Sequence, residues 1–167
     1  GPRDIIAEWV NEDAEVRAKM RALFLTQAGF ISKVIKGKEE AGIKFKDYFD
    51  LTEAVSASPS HRVLAMRRGE KEEILTLRVL PPEDEALEIV RTKFVKGENS
   101  SSRQVLLAVE DSYKRLLSLS MESEIRMITK QKADEEAIVV FAKNLRQLLM
   151  EAALGQKRVL AVDPGFR

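Results

Sequence analysis

Helical periodicity governs most of this chain. Val105, Leu106, Val109, Tyr113, Leu116 and Leu117 recur at spacings of three and four, which lines one face of a helix over Arg103 to Leu119. Only one stretch alternates in the manner of a half-buried strand. Between Glu73 and Leu80, Leu75, Leu77 and Val79 share one face while Thr76 and Arg78 share the other. These two patterns restrict the fold to a mainly α, multi-helix domain with a two- or three-stranded β piece.

The remaining elements follow from caps and breakers. Asp4 is set to cap a first short helix with Ile5, Ile6, Trp9 and Val10. Asn11, followed by two acids, reads as a fresh N-cap. A second helix then buries Val16, Met20, Leu23 and Phe24 and stops at Gly29. Phe30 to Ile35 is a strand or an extended loop. Glu39 to Phe49 reads as a helix that Gly42 weakens. Asp50 to Ser58 is expected to be a connection. Ser60 is expected to cap a short helix, His61 to Arg68, that ends at Gly69. Asp84 to Val95 is helical. Ser120 and Asp134 look like two further helix starts. The last helix, Asp134 to Leu154, would place Ala137, Phe141, Leu145 and Leu148 inward over about 31 Å, with Gly155 as its stop. No fixed-period repeat appears.

Within the C-terminal ten residues, Val159 to Val162 is expected to be a short apolar strand running into Asp163-Pro164-Gly165. A lone strand cannot satisfy its own backbone. The expectation is therefore a piece of a larger protein, cut just inside a second domain, with the dangling strand able to add to another molecule's sheet edge.

Charge and composition narrow the function classes. Lys and Arg number 28 against 27 acids, a net charge of +1, so no global field draws the chain to nucleic acid or membrane. Cysteine is absent, which excludes disulfides and thiolate metal sites and fits a reducing, cytoplasmic setting. The single histidine, His61, excludes a multi-histidine metal site and is read as a helix-start hydrogen-bonding group. No apolar run approaches the roughly 20 residues needed to span a bilayer, so no membrane partner is expected. No cofactor and no catalytic residue is expected either.

Two basic groups are the candidate nucleic-acid contacts. Lys33, Lys36, Lys38, Lys44 and Lys46 lie within 14 residues, and Arg62, Arg67 and Arg68 form the second group. Glu39, Glu40 and Asp47 are interleaved with the first group, so a solvated face of mixed charge is the competing reading. Trp9, Phe24, Phe45, Phe49 and Phe141 lie at core spacings and are read as packing residues rather than base-stacking ones. Asp163 at a strand end suits a Mg²⁺ ligand, yet such sites need two or more carboxylates, and the others would lie past residue 167.

Several segments in order resemble the Tex family of bacterial transcription accessory proteins. They are Arg3 to Trp9, Lys36 to Gly42 running on to Lys46 through Asp50, Pro59 to Arg62, Arg68 to Glu70, Glu136 to Ile138, Phe141-Ala142 with Asn144 to Arg146, and Asp163 to Arg167. Ala41 and Ile43 depart from the pattern without altering its charge. The resemblance implies residues 1–157 as a helical N-terminal and central region with helix-turn-helix character. It implies residues 158–167 as the truncated first strand of a YqgF domain of RuvC/ribonuclease-H-like fold. Helix-hairpin-helix modules and an S1-type domain, the expected main RNA-binding part, would follow. The implied role is a non-catalytic scaffold in a nucleic-acid-binding transcription protein. Its partners would be the downstream domains, RNA or DNA, and RNA polymerase or ribosome-associated factors. The alternatives are a regulatory arm of a metal-dependent RuvC-like nuclease, in which Asp163 would ligate metal, or a protein-docking module.

Overall fold

The computed structural model describes residues 1–151 together with Leu160, Ala161 and Asp163. Val159 and Val162, the strand expected to contain them, and the stop expected at Gly155 lie outside the described residues.

The first helix, α1 (Pro2–Glu12), is followed at once by α2 (Ala14–Gln27). The break falls at Asp13 rather than Asn11. Asp13 is extended, and its carboxylate accepts the Val16 amide hydrogen at 2.8 Å. An ionised cap also meets the positive end of the α2 dipole, which an amide meets less well. Asn11 instead accepts hydrogen bonds from Arg17 with its carbonyl and side-chain oxygens. Val16, Met20, Leu23 and Phe24 of α2 are all buried, as their spacing requires.

Phe30 to Ile35 resolves to a strand, β1 (Gly29–Val34), and it is the centre of the sheet. It pairs antiparallel with β2 (Asp50–Ala54) on one side and β3 (Leu75–Leu80) on the other. Phe30, Ser32, Leu77 and Val79 point to the buried face. Lys33, Asp50, Thr52, Thr76 and Arg78 share the opposite face, left open to solvent. Two expectations fail around this sheet. The helix expected over Glu39 to Phe49 is a set of turns followed by a 3₁₀ segment, Ile43–Tyr48; Gly42, a poor helix former, precedes that segment and is pressed so close to Ile74 that a Cβ there would overlap it. The Phe45 amide bonds the Gly42 carbonyl three residues back, at 2.7 Å. The connection expected over Asp50 to Ser58 contains β2 and a 3₁₀ turn, Val55–Ala57. Strand β2 exists because β1 offers it a ladder, not through its own residue preferences.

Helix α3 (Ser60–Lys71) begins after Pro59, which serves as the cap residue, and runs through Gly69. The Ser60 hydroxyl does not cap it but donates to Glu136. Gly69 is not a stop. A Cβ there would collide with Leu75 and press on Phe45, so the glycine lets helix and strand approach. Then come β3, α4 (Glu83–Phe94) and α5 (Ser100–Ser112), the last capped by the Asn99 side chain on the Ser102 amide at 2.9 Å.

From α5 the chain passes through one π-helical turn, Tyr113–Leu117, directly into α6 (Ser118–Met150). The starts expected at Ser120 and Asp134 are absent. Ser120 uses its hydroxyl to accept from Arg17. Lys130 and Asp134, four residues apart at 2.6 Å, carry the helix past the aspartate. Over its 33 residues α6 extends about 50 Å. Its first half packs on α3, α2 and β3 and buries Met121, Ile125 and Ala133. Its second half leaves the body. Phe141, Leu145 and Leu148, expected inward, are exposed (Phe141 68%), and only Ala137 is half-buried. Trp9 is likewise exposed at 67%, whereas Phe24 and Phe45 are core and Phe49 is half-buried.

Candidate functional site

The loop after β1 is fixed by a small second core of Phe45, Ile74 and Leu75, with Tyr48 and Phe49 packed on it. The Ile35 amide bonds the Ile74 carbonyl at 2.8 Å, and the Gly42 amide bonds the Lys38 carbonyl at 2.8 Å. This apolar plug holds the 36–49 loop over the end of α3, where Gly69 meets Phe45. It thereby brings the first basic group towards Arg68, a pairing of segments twenty or more residues apart.

Each candidate cation has a definite place. Lys36, Lys38, Lys46 and Arg68 are exposed at this end of the sheet with no ion pair among the described residues. Lys33 is exposed on the open sheet face, in register between Asp50 and Thr76. Lys44 binds Glu72 at 2.6 Å, and its ammonium lies 5.0 Å from the Phe45 ring centre. Two residues stand apart. Arg62 is held by Glu53 of β2 at 2.9 Å, and that carboxylate raises the guanidinium pKa further. Arg67 is held by Glu70 at 3.1 Å on the side facing α6. The usable cations therefore reduce to Lys33, Lys36, Lys38, Lys46 and Arg68. The open sheet face beside Lys33 displays Ile31, Thr52 and Thr76 and no aromatic ring, so it has the means to touch phosphates but none to stack bases.

The acids withdrawn from water do a different job. Glu122 of α6, buried, accepts from the Arg78 guanidinium at 2.9 and 3.1 Å and from the Val79 amide at 2.9 Å. Arg126, one turn on, donates to the Leu77 carbonyl at 2.7 Å and to Glu70. Glu124 accepts from Arg21 at 2.6 Å and from Arg17 at 3.0 Å, which joins α6 to α2. The Arg21 hydrogen bond is the largest of the influences that lower the Glu124 pKa. These clamps were not visible in the sequence, where Arg78 reads as the polar face of a strand and Glu122, Glu124 and Arg126 as positions in a helix, with nothing to pair them. His61 is exposed and makes no side-chain hydrogen bond among the described residues, so the helix-start bond expected of it is absent. Among the described residues no three His, Asp or Glu side chains converge as metal ligands, and no helix is long and apolar enough to cross a membrane.

A family model described as Tex central region-like matches residues 1–141. The chain belongs to this family. Relatives of the Tex central region chain include protein YdcI of Bacillus subtilis, 37% identical over 170 residues, and the transcriptional accessory protein Tex of Neisseria gonorrhoeae, 36% identical over 175. Protein YhgF of Escherichia coli is 37% identical over 179. All three match the whole of this chain, which spans only 23–24% of their own length. The human S1 RNA-binding domain-containing protein 1 is 30% identical over 114 residues, covering 64% of the chain and 12% of that protein. The Tex resemblance and the mainly helical fold with its small sheet are thus both established for this chain.

Proposed function

We propose that this Tex central region is a non-catalytic scaffold in a nucleic-acid-binding transcription accessory protein, and that its lysine-bearing end adds secondary phosphate contacts. The observation that supports the scaffold is the use made of its shielded carboxylates. Glu122, Glu124 and Glu70 are each engaged by arginines or a backbone amide of a different element. Groups so engaged tie α6 to β3, to α2 and to α3, which is a structural use of their charge. The names of the Neisseria and human relatives, a transcriptional accessory protein and an S1 RNA-binding domain-containing protein, support the setting. The protein partners in this reading are the other domains of the longer polypeptide, with RNA polymerase or ribosome-associated factors beyond them. A gel-shift titration of residues 1–167 with single- and double-stranded DNA and RNA tests the phosphate contacts. Weak, salt-sensitive binding without sequence preference is expected. Binding no better than that of an unrelated protein of equal charge removes the contacts and leaves the scaffold alone.

A further inference from the structure

The three-stranded sheet has two edges, and the fold closes one of them. On β3, Glu122 takes the Val79 amide hydrogen and Arg126 gives to the Leu77 carbonyl, so α6 covers that edge. Strand β2 is the other edge. The Val55 amide bonds the Ala28 carbonyl and the Val34 amide bonds the Phe49 carbonyl, each at 2.9 Å, which fixes the phase of the β1–β2 ladder. Leu51 and Glu53 keep that phase and turn their backbone groups to β1. Asp50, Thr52 and Ala54 turn theirs the opposite way, and among the described residues nothing hydrogen-bonds to them. All three residues are exposed. The devices that usually blunt an edge are missing. Asp50 to Ala54 contains no proline, glycine or lysine, and its pairing with β1 runs without a bulge from Asp50 opposite Lys33 to Ala54 opposite Gly29.

Length and charge say what fits there. The 5 residues of β2 span about 17 Å. That strip is too narrow for the roughly 1,200–2,000 Å² that stable pairs of folded proteins bury. One extended segment needs no such area, because main-chain hydrogen bonds supply its affinity. Residues 47–59 hold Asp47, Asp50 and Glu53 and no lysine or arginine. Glu53 is held by Arg62, whereas Asp47 and Asp50 form no ion pair among the described residues, Lys33 facing Asp50 only from the β1 side. Leu51, half-buried, is the apolar side chain of the strand's inner face. We infer that the β2 edge takes up an extended segment of a partner protein as an added strand. Antiparallel to β2, that segment sets a β-branched apolar residue beside Leu51 and a lysine or arginine beside Asp50 and Asp47. The cation fixes the register more than the affinity.

Amide hydrogen exchange of residues 1–167 with millimolar peptide tests this. The probe is acetyl-Thr-Val-Thr-Val-Lys-Lys-amide. Its control is the same peptide N-methylated at both threonines and the first lysine, which keeps the charge and blocks the ladder. With the probe, the Asp50, Thr52 and Ala54 amides should exchange about tenfold more slowly while those of β3 are unchanged. The control should slow none of them. Thr52→Pro removes one outward N–H and no bond to β1. This variant should keep native exchange in β1 and β3 and lose the response of Asp50 and Ala54 to the probe. Should it fail to fold, the N-methylated control still decides. Equal slowing by both peptides reduces the contact to charge attraction and overturns the inference. So does the absence of slowing with the probe. Slow exchange of the same three amides without peptide, accompanied by a dimer mass in light scattering, gives the edge to a second copy and also overturns it. None of these readouts involves Lys36, Lys38 or Lys46, so strand addition and phosphate binding fail separately.

Discussion

The Glu122 carboxylate accepts the Val79 amide hydrogen at 2.9 Å, and through this bond helix α6 takes the place of a fourth strand. In the β1–β3 register, Leu75, Leu77 and Val79 turn their backbone groups away from β1. A strand edge of this kind invites pairing with another chain. Glu122 takes the Val79 amide and Arg126 gives to the Leu77 carbonyl at 2.7 Å. Four residues of helix rise about 6 Å and two residues of strand about 6.8 Å, so one helical turn matches one outward pair. Glu122→Ala leaves a buried amide unpaired and should lower stability by about 2–3 kcal/mol in urea unfolding. Glu122→Gln keeps an acceptor and should cost about 1 kcal/mol. Arg78→Ala should cost about 1–3 kcal/mol, since it leaves the buried Glu122 carboxylate without its guanidinium partner. Equal losses for Ala and Gln would show that the amide bond is not what matters.

Acid should loosen the seams between α2 and its neighbours. Glu15 of α2 is lowered to about 2, first by the hydrogen bond from Lys93 of α4 and then by that from Lys19. Glu124 is also lowered, by Arg21 above all. Both folded-state values lie below the ordinary 4.5, so the stabilisation is complete above that pH and is lost as the pH falls from about 4.5 towards 2. Thermal midpoints measured between pH 7 and pH 2.5 should stay level to about pH 5 and then decline. The double variant Glu15→Gln/Glu124→Gln should start lower and decline less. A variant that keeps the full acid slope would place the sensitive groups elsewhere.

Two positions should respond to glycine in opposite senses. Glu73 sits at φ 58 between α3 and β3, a left-handed conformation that costs a side-chain-bearing residue roughly 1–2 kcal/mol. Glu73→Gly should therefore stabilise by up to about 1 kcal/mol, the gain being reduced by the freer unfolded chain. Gly69→Ala, in a helix interior, would ordinarily stabilise. Here its methyl meets Leu75, and overpacking should destabilise by about 1–3 kcal/mol. Urea midpoints of both variants decide the matter, and an unchanged Gly69→Ala midpoint would mean that Leu75 yields freely.

What was legible in the sequence is what local chemistry determines. Strand β3 declares itself because Leu75, Leu77 and Val79 are buried while Thr76 and Arg78 are not. Helix α2 does so through Val16, Met20, Leu23 and Phe24. Strand β2 was hidden because only its partner makes it a strand: in Asp50 to Ala54, Leu51 is the one large apolar residue. Gly69 looked like a stop because a glycine for close approach and a glycine for a cap are the same letter. The inward orientation expected of Phe141 failed because a stripe shows that a helix face is apolar and not which body covers it. At the site, the lysines were visible but their partners were not, since Glu72, Glu53 and Glu70 reach Lys44, Arg62 and Arg67 through tertiary or local folding.

The lysine end should show itself in salt dependence rather than in affinity alone. Each phosphate contact adds about 0.9 to the slope of log affinity against log salt on duplex DNA and about 0.7 on single strands. Lys36, Lys38 and Lys46 are exposed and unpaired among the described residues, whereas Arg62 and Arg67 are engaged by carboxylates. The triple variant Lys36→Ala/Lys38→Ala/Lys46→Ala should thus flatten the duplex slope by up to about 2.7. Arg62→Ala should leave the slope unchanged and lower stability slightly instead, by releasing Glu53. Fluorescence anisotropy at four or more salt concentrations measures both. Because the open sheet face has no aromatic residue, the effect should be the same for sequences of different base composition. A slope that changes with Arg62 but not with the three lysines would move the phosphate contacts to α3 and away from the 36–49 loop.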